Sequence, residues 1–238
     1  MFTKLLCAAL GLAGLAGTAM MASRSTSAAA PPTTAAAAST ASTPSTAGAA
    51  TEMRPFRLPL LTPDELTPEQ RVVADELTAQ MGRPIPPGPF SLLLREPGVA
   101  EGALRIFSAY RNDSKLDRRY FELAVLTVAR EWRAQFEWYA HEGAALKLGI
   151  DPEVVAAIKA GRRPHFARPD EKTVYDTIVE LDRTHHLSPA AYARIVALLG
   201  DQQTLDLITA AGYYTMLAMT ISAFDVQAPT PAPGRPLS

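Results

Sequence analysis

The stretch from Asp117 to Leu148 limits what the rest of the chain can be. Phe121, Leu123, Val125, Leu126, Val128 and Ala129 make a helix opened by Asp117 apolar nearly all round, and such a helix must be enclosed by other elements. Glu131 to Ala134 read as a corner. A second helix then runs from about Ala134 to Leu148, where Gly149 stops it. Into this apolar block the sequence places Glu122, Glu137 and His141. Glu137 and His141 are four residues apart and share a face with Ala134, Trp138 and Ala145. A Glu and a His at that spacing are often only a solvated helix pair. Glu122 is a stronger signal, because desolvation disfavours a charged carboxylate on an enclosed helix. It needs a partner or a raised pKa, and either makes it a candidate acid or base.

No segment shows the strict alternation of a strand, so the expected fold class is all-α, eight or nine helices about one core. Thr67, Pro68 and Gln70 open a helix that runs to about Met81. Arg83 to Pro89 holds four prolines and reads as a stiff loop before the segment PFSLLL, whose Phe90 and Leu94 are either cavity wall or plain core. Pro97 starts the next helix, which ends at Asn112 and Asp113. Helices are also expected from Asp151 and Pro152 to Gly161, from about Pro169 to His186, and from Ser188 and Pro189 to Leu199, closed by Gly200. His185 and His186 are adjacent at a helix end and point to different sides, which suits the helix dipole better than a metal. Leu205 to Phe224 is long and apolar enough to span a membrane. It is read as a core helix, since Asp206 and Asp225 bound it, no basic flank follows, and Thr209, Gly212, Thr215, Thr220 and Ser222 interrupt it.

Residues 1–25 read as a signal peptide: Lys4, then LLCAALGLAGLAGTAMMA, an apolar run passing into small residues. Residues 26–53, almost wholly Ala, Ser, Thr and Pro, cannot bury enough apolar surface to offset the entropy of ordering and read as a disordered linker. The helical domain is expected over 54–228, with three prolines between Arg54 and Pro63 making an extended arm on its surface, and 229–238 as a disordered tail. Export places the mature protein in the periplasm or outside the cell. Cys7, the only cysteine, would leave with the signal peptide. A formal net charge of −1 gives no reason to expect nucleic acid as a partner, and no membrane association is expected after cleavage.

In order along the chain, GPFSLLL, FELAVLTVAREW, EWYAHE and GYYTMLAMTISAF resemble the carboxymuconolactone decarboxylase and alkylhydroperoxidase D-like family, from about Gly88 to Phe224. The resemblance implies one compact multi-helix domain, an assembly built on trimers, and a site in which Glu122 and His141 take the family's glutamate and histidine positions. Where the family's peroxidases carry Cys-x-x-Cys, this chain has Ala134 and Glu137. That substitution removes thiol chemistry, because the thiolate is the peroxidase nucleophile.

The function expected on these grounds is cofactor-free proton transfer or decarboxylation on a small carboxylated lactone or related acid, with Glu122, Glu137 and His141 as the catalytic group. Arg133 or Arg130 would hold the substrate carboxylate, and Phe90 and Tyr139 would line the pocket. No metal or other cofactor is expected, and the partner is a small-molecule substrate. The alternatives are a peroxidase, disfavoured by the missing cysteine pair, and a homologue that binds a small ligand without turnover.

Overall fold

A computed structural model describes residues 56–228 and 237; the proposed signal peptide and linker lie outside the described residues. Eight α-helices and no strand occur among them: α1 Pro68–Met81, α2 Pro89–Leu93, α3 Pro97–Asn112, α4 Arg118–Glu131, α5 Gln135–Lys147, α6 Pro152–Lys159, α7 Pro169–Thr184 and α8 Pro189–Phe224. The all-α expectation holds.

The helix starts follow from local chemistry. Proline opens α1, α2, α3, α6, α7 and α8, where its missing N–H is one the helix could not have bonded anyway. Thr67 and Gln70 close a reciprocal capping box on α1, and Asp117, Asp151 and Ser188 accept first-turn N–H groups of α4, α6 and α8. Gly149 and Gly161 sit at φ 86° and 66° just past α5 and α6.

α4 is the central element. Every residue from Phe121 to Ala129 is buried, and the helix packs against α5, α6, α7 and α8. The apolar-all-round pattern therefore corresponds to enclosure on every side. The expected stop at Gly200 is present: α8 consists of two helical segments that meet at a kink there. Gly200 takes φ 73° and ψ 172°, a region essentially closed to residues with a Cβ, so the first segment ends there and the second starts in a new direction. Beyond the break, Leu207, Ala210, Tyr213, Tyr214, Leu217 and Ile221 are buried in the domain, while Met216 and Met219 on the same helix are exposed.

The extended arm lies on this core. Phe56, Leu58 and Leu60 pack against it, and the Arg57 N–H donates to the Phe224 carbonyl at 3.0 Å. At the other end, the Leu237 N–H donates to Gln135 Oε1 at 2.7 Å, beside the start of α5.

Candidate functional site

The corner between α4 and α5 builds the site. Trp132 N–H donates back to Val128, Arg133 turns the chain at φ 53°, and Ala134 N–H donates to Ala129 at 2.8 Å. The two helices then pack closely, bringing Glu122 of α4 up to His141 of α5. His141 Nδ1 is 2.7 Å from Glu122 Oε2, and Arg118 Nη2 donates to Glu122 Oε1 at 3.1 Å from one turn earlier on α4. As a carboxylate, Glu122 only accepts, so the histidine tautomer it selects carries its proton on Nδ1. Nε2 is then the nitrogen left for a substrate. The imidazole is held on its other side by Tyr214 of α8, edge to face with ring centroids 5.0 Å apart.

Among the buried carboxyls, Glu122 has Arg118 and His141, and Glu171 has Arg119 and Arg168. Glu137 has neither cation nor donor: it is 3% exposed, and both carboxyl oxygens are enclosed without a hydrogen-bond partner. Burial pushes its pKa well above the ordinary carboxylic-acid value. Its place in the first turn of α5 works the other way, since the positive end of a helix favours a carboxylate. That effect reaches about 2 kcal/mol at best, whereas an unpaired buried charge costs several, so the proton stays. Burial thus favours the protonated, neutral form of Glu137. Arg130 Nε, Trp138 Nε1 and Asp182 Oδ2 are also enclosed without partners, but none of those residues lines either of the two cavities described below.

Glu137 and His141 line a cavity of about 440 Å³. Its aromatic wall is Phe90, Phe107, Phe136 and Tyr214, with Phe90 and Phe107 packed edge to face at 5.8 Å. The proline-rich loop supplies Arg83, Pro86 and Gly88, and the end of α3 supplies Arg111. Both arginines are exposed, and no ion pair ties either down among the described residues. A second cavity of about 190 Å³ adjoins the first, with Arg118, Glu122 and Tyr213 in its wall.

Among the residues singled out from sequence, Glu122 and His141 are in direct contact, Glu137 shares the larger cavity with His141, and Phe90 and Tyr139 line it too. Arg133 lies in neither wall: it is spent in the left-handed turn between α4 and α5 and is exposed. Arg130 also faces elsewhere, with its guanidinium against the Gly161 turn. The cations at the cavity are Arg83 and Arg111 instead. Leu94 is buried with Val73 and Ala100 away from the site. Arg118 could have been found from its i, i+4 spacing to Glu122. Tyr214 and Arg111 reach the site from other helices, and no local pattern announces them.

No protein-family model matches the chain, and no curated protein does. Solved structures do. The fold is similar to that of an uncharacterized peroxidase-related protein from Silicibacter sp. TM1040, with a TM-score of 0.60 and 15% identity over 76% of this chain and 95% of that one. It is also similar to the alkylhydroperoxidase AhpD core of an uncharacterized peroxidase-related protein from Ralstonia eutropha JMP134, with a TM-score of 0.61 and 14% identity over 74% and 93% of the two chains. A protein of unknown function from Agrobacterium tumefaciens matches with a TM-score of 0.53 and 13% identity, over 58% of this chain and 96% of that one. The chain has the alkylhydroperoxidase D-like fold, as the motif order implied.

Proposed function

We propose that this protein is a cofactor-free proton-transfer enzyme of the lyase type, acting on a small unsaturated lactone or related acid that carries a carboxylate. The observation that carries the reading is Glu137: a carboxyl buried without partners, where burial favours its neutral form, in the wall of a cavity it shares with a histidine already paired to a second carboxylate. A fold with no use for that group would lose nothing by replacing it with an apolar residue.

The residues divide the work in a simple way. Arg83 and Arg111 supply positive charge for the substrate's acid groups. The carboxyl that leaves lies against the aromatic wall, where desolvation favours its departure as neutral carbon dioxide. When that carbon–carbon bond breaks, its electron pair passes into the conjugated lactone carbonyl. Glu137 in its acid form donates a proton to the carbon end of the resulting dienolate as the pair returns from the carbonyl, and is left as a carboxylate. The Glu122–His141 pair holds the proton that restores Glu137 afterwards. Thiol peroxide reduction finds no support, because Ala134 and Glu137 stand where that chemistry needs cysteines.

A panel of unsaturated lactone carboxylates, followed by carbon dioxide release, tests the proposal. Turnover that falls by about a hundredfold in His141→Gln, with the fold retained, supports it. Ligand-dependent stabilisation without turnover would instead mark a binding protein.

Export through the N-terminal segment and self-association, on a trimeric plan by family resemblance, belong to the same proposal. The exposed Met216 and Met219, on a helix segment without charge from Leu207 to Phe224, support self-association. N-terminal sequencing of secreted protein, expected to start between about Met20 and Pro31, and light scattering test these two parts.

A further inference from the structure

His141 stands between the two cavities. Glu137 lines only the larger one and Glu122 only the smaller, while His141 and Tyr214 line both. Its Nδ1 is committed to Glu122, on the side of the smaller chamber.

A proton-transfer group must be reset once per turnover. A substrate filling the larger cavity blocks the water that could do so from that side. The smaller chamber offers another route. Its 190 Å³ has room for several waters, each taking about 30 Å³ in the liquid. Its wall has the polar groups ordered water needs, among them Tyr110, Arg111, Arg118 and Glu122. It also reaches solvent: the Arg118 side chain in its wall is 44% exposed, while donating to Glu122 at 3.1 Å and to the Tyr110 carbonyl at 3.4 Å and stacking 4.2 Å from the Phe121 ring centroid. Arg118 is thereby fixed as a positioning residue, which holds Glu122 towards His141.

We propose that the smaller chamber is a proton port, through which the Glu122–His141 pair exchanges its proton with solvent while the larger chamber holds substrate. The inference rests on the proton-transfer reading given above. Two substitutions separate the chambers. Ala144 lines only the smaller one, one turn beyond Ala140 on α5, so Ala144→Leu fills the port. Gly88 lines only the larger one, and a Cβ there would come within 2.6 Å of the ring of Phe136, which lines the same cavity, and force that ring to shift.

The test is the solvent exchange of the His141 ring proton, followed by NMR in protein labelled with 15N-histidine. The other three histidines are exposed, which leaves the half-buried His141 as the slowly exchanging ring, assigned by its loss in His141→Gln. The port requires Ala144→Leu to slow exchange by about tenfold or more, Ala144→Val to give a smaller effect if leucine disturbs the fold, and Gly88→Ala to leave it within about twofold of native. Exchange unaffected at position 144, or slowed equally by Gly88→Ala, overturns the port. Where native protein turns over a lactone acid, Ala144→Leu should lower kcat without raising KM, and added imidazole should restore it. Absence of turnover in native protein counts against the proposed function alone, and the exchange measurement still decides the port.

Discussion

Replacing Glu137 by glutamine should change how stability depends on pH. In the unfolded chain Glu137 titrates near its ordinary value of 4.5, whereas in the folded protein burial holds the proton to well above that pH. Between the two values the folded state binds one proton more than the unfolded state, so stability falls as pH rises. The contribution is fully present below about pH 4.5 and is lost progressively up to the folded value, at a limiting slope of about 1.4 kcal/mol per pH unit. Glutamine has the same shape and does not titrate. The difference in unfolding free energy between Glu137→Gln and native protein should therefore move in favour of the variant as pH rises above 4.5, with a slope that does not exceed the limiting value. Every other titrating group cancels in that difference. Urea unfolding of both proteins at four pH values between 4.5 and 7.5 is sufficient. Parallel curves would mean that Glu137 has no raised pKa, and a variant that loses ground with rising pH would mean a paired, ionised carboxylate; either result refutes the neutral-acid reasoning.

Two further outcomes test the supporting structure. Glu122→Gln removes a buried acceptor of charge-assisted hydrogen bonds from Arg118 and His141 and should cost about 2–3 kcal/mol by denaturant unfolding, together with most turnover; unchanged stability would show that the contacts are not formed in solution. Gly161→Ala forces a Cβ onto a residue at φ 66° and against the Arg130 guanidinium, and should lower stability by about 1 kcal/mol or more, whereas a neutral result would place Arg130 elsewhere.

The parts of this molecule that are local in sequence are the parts a reader can foresee. Capping residues and N1 prolines mark the helix starts, and the enclosure of α4 is written in Phe121 to Ala129 because no face of that helix is polar. The contact of Glu122 with His141 follows from a tight corner between two packed helices. The cationic side of the cavity is not legible in the same way. Arg133 sits next to the site residues in sequence, yet its backbone is used to make the turn, and Arg83 and Arg111 come from a loop and from the end of α3. The same holds for Tyr214, whose ring meets His141 across more than seventy residues of chain. The stop at Gly200 is legible too, because glycine alone readily takes the φ of 73° and ψ of 172° that separate the two helical segments of α8.

The central claim is that a neutral Glu137 gives its proton to carbon as carbon dioxide leaves. It is tested most directly by running the reaction of an unsaturated lactone carboxylate in deuterium oxide and locating deuterium in the product, with native protein and Glu137→Gln side by side. The account predicts one solvent deuteron at the protonated carbon in the native reaction and a rate at least about a hundredfold lower in the folded variant. Native-like rates in Glu137→Gln, or a product carrying no solvent deuterium, would contradict it.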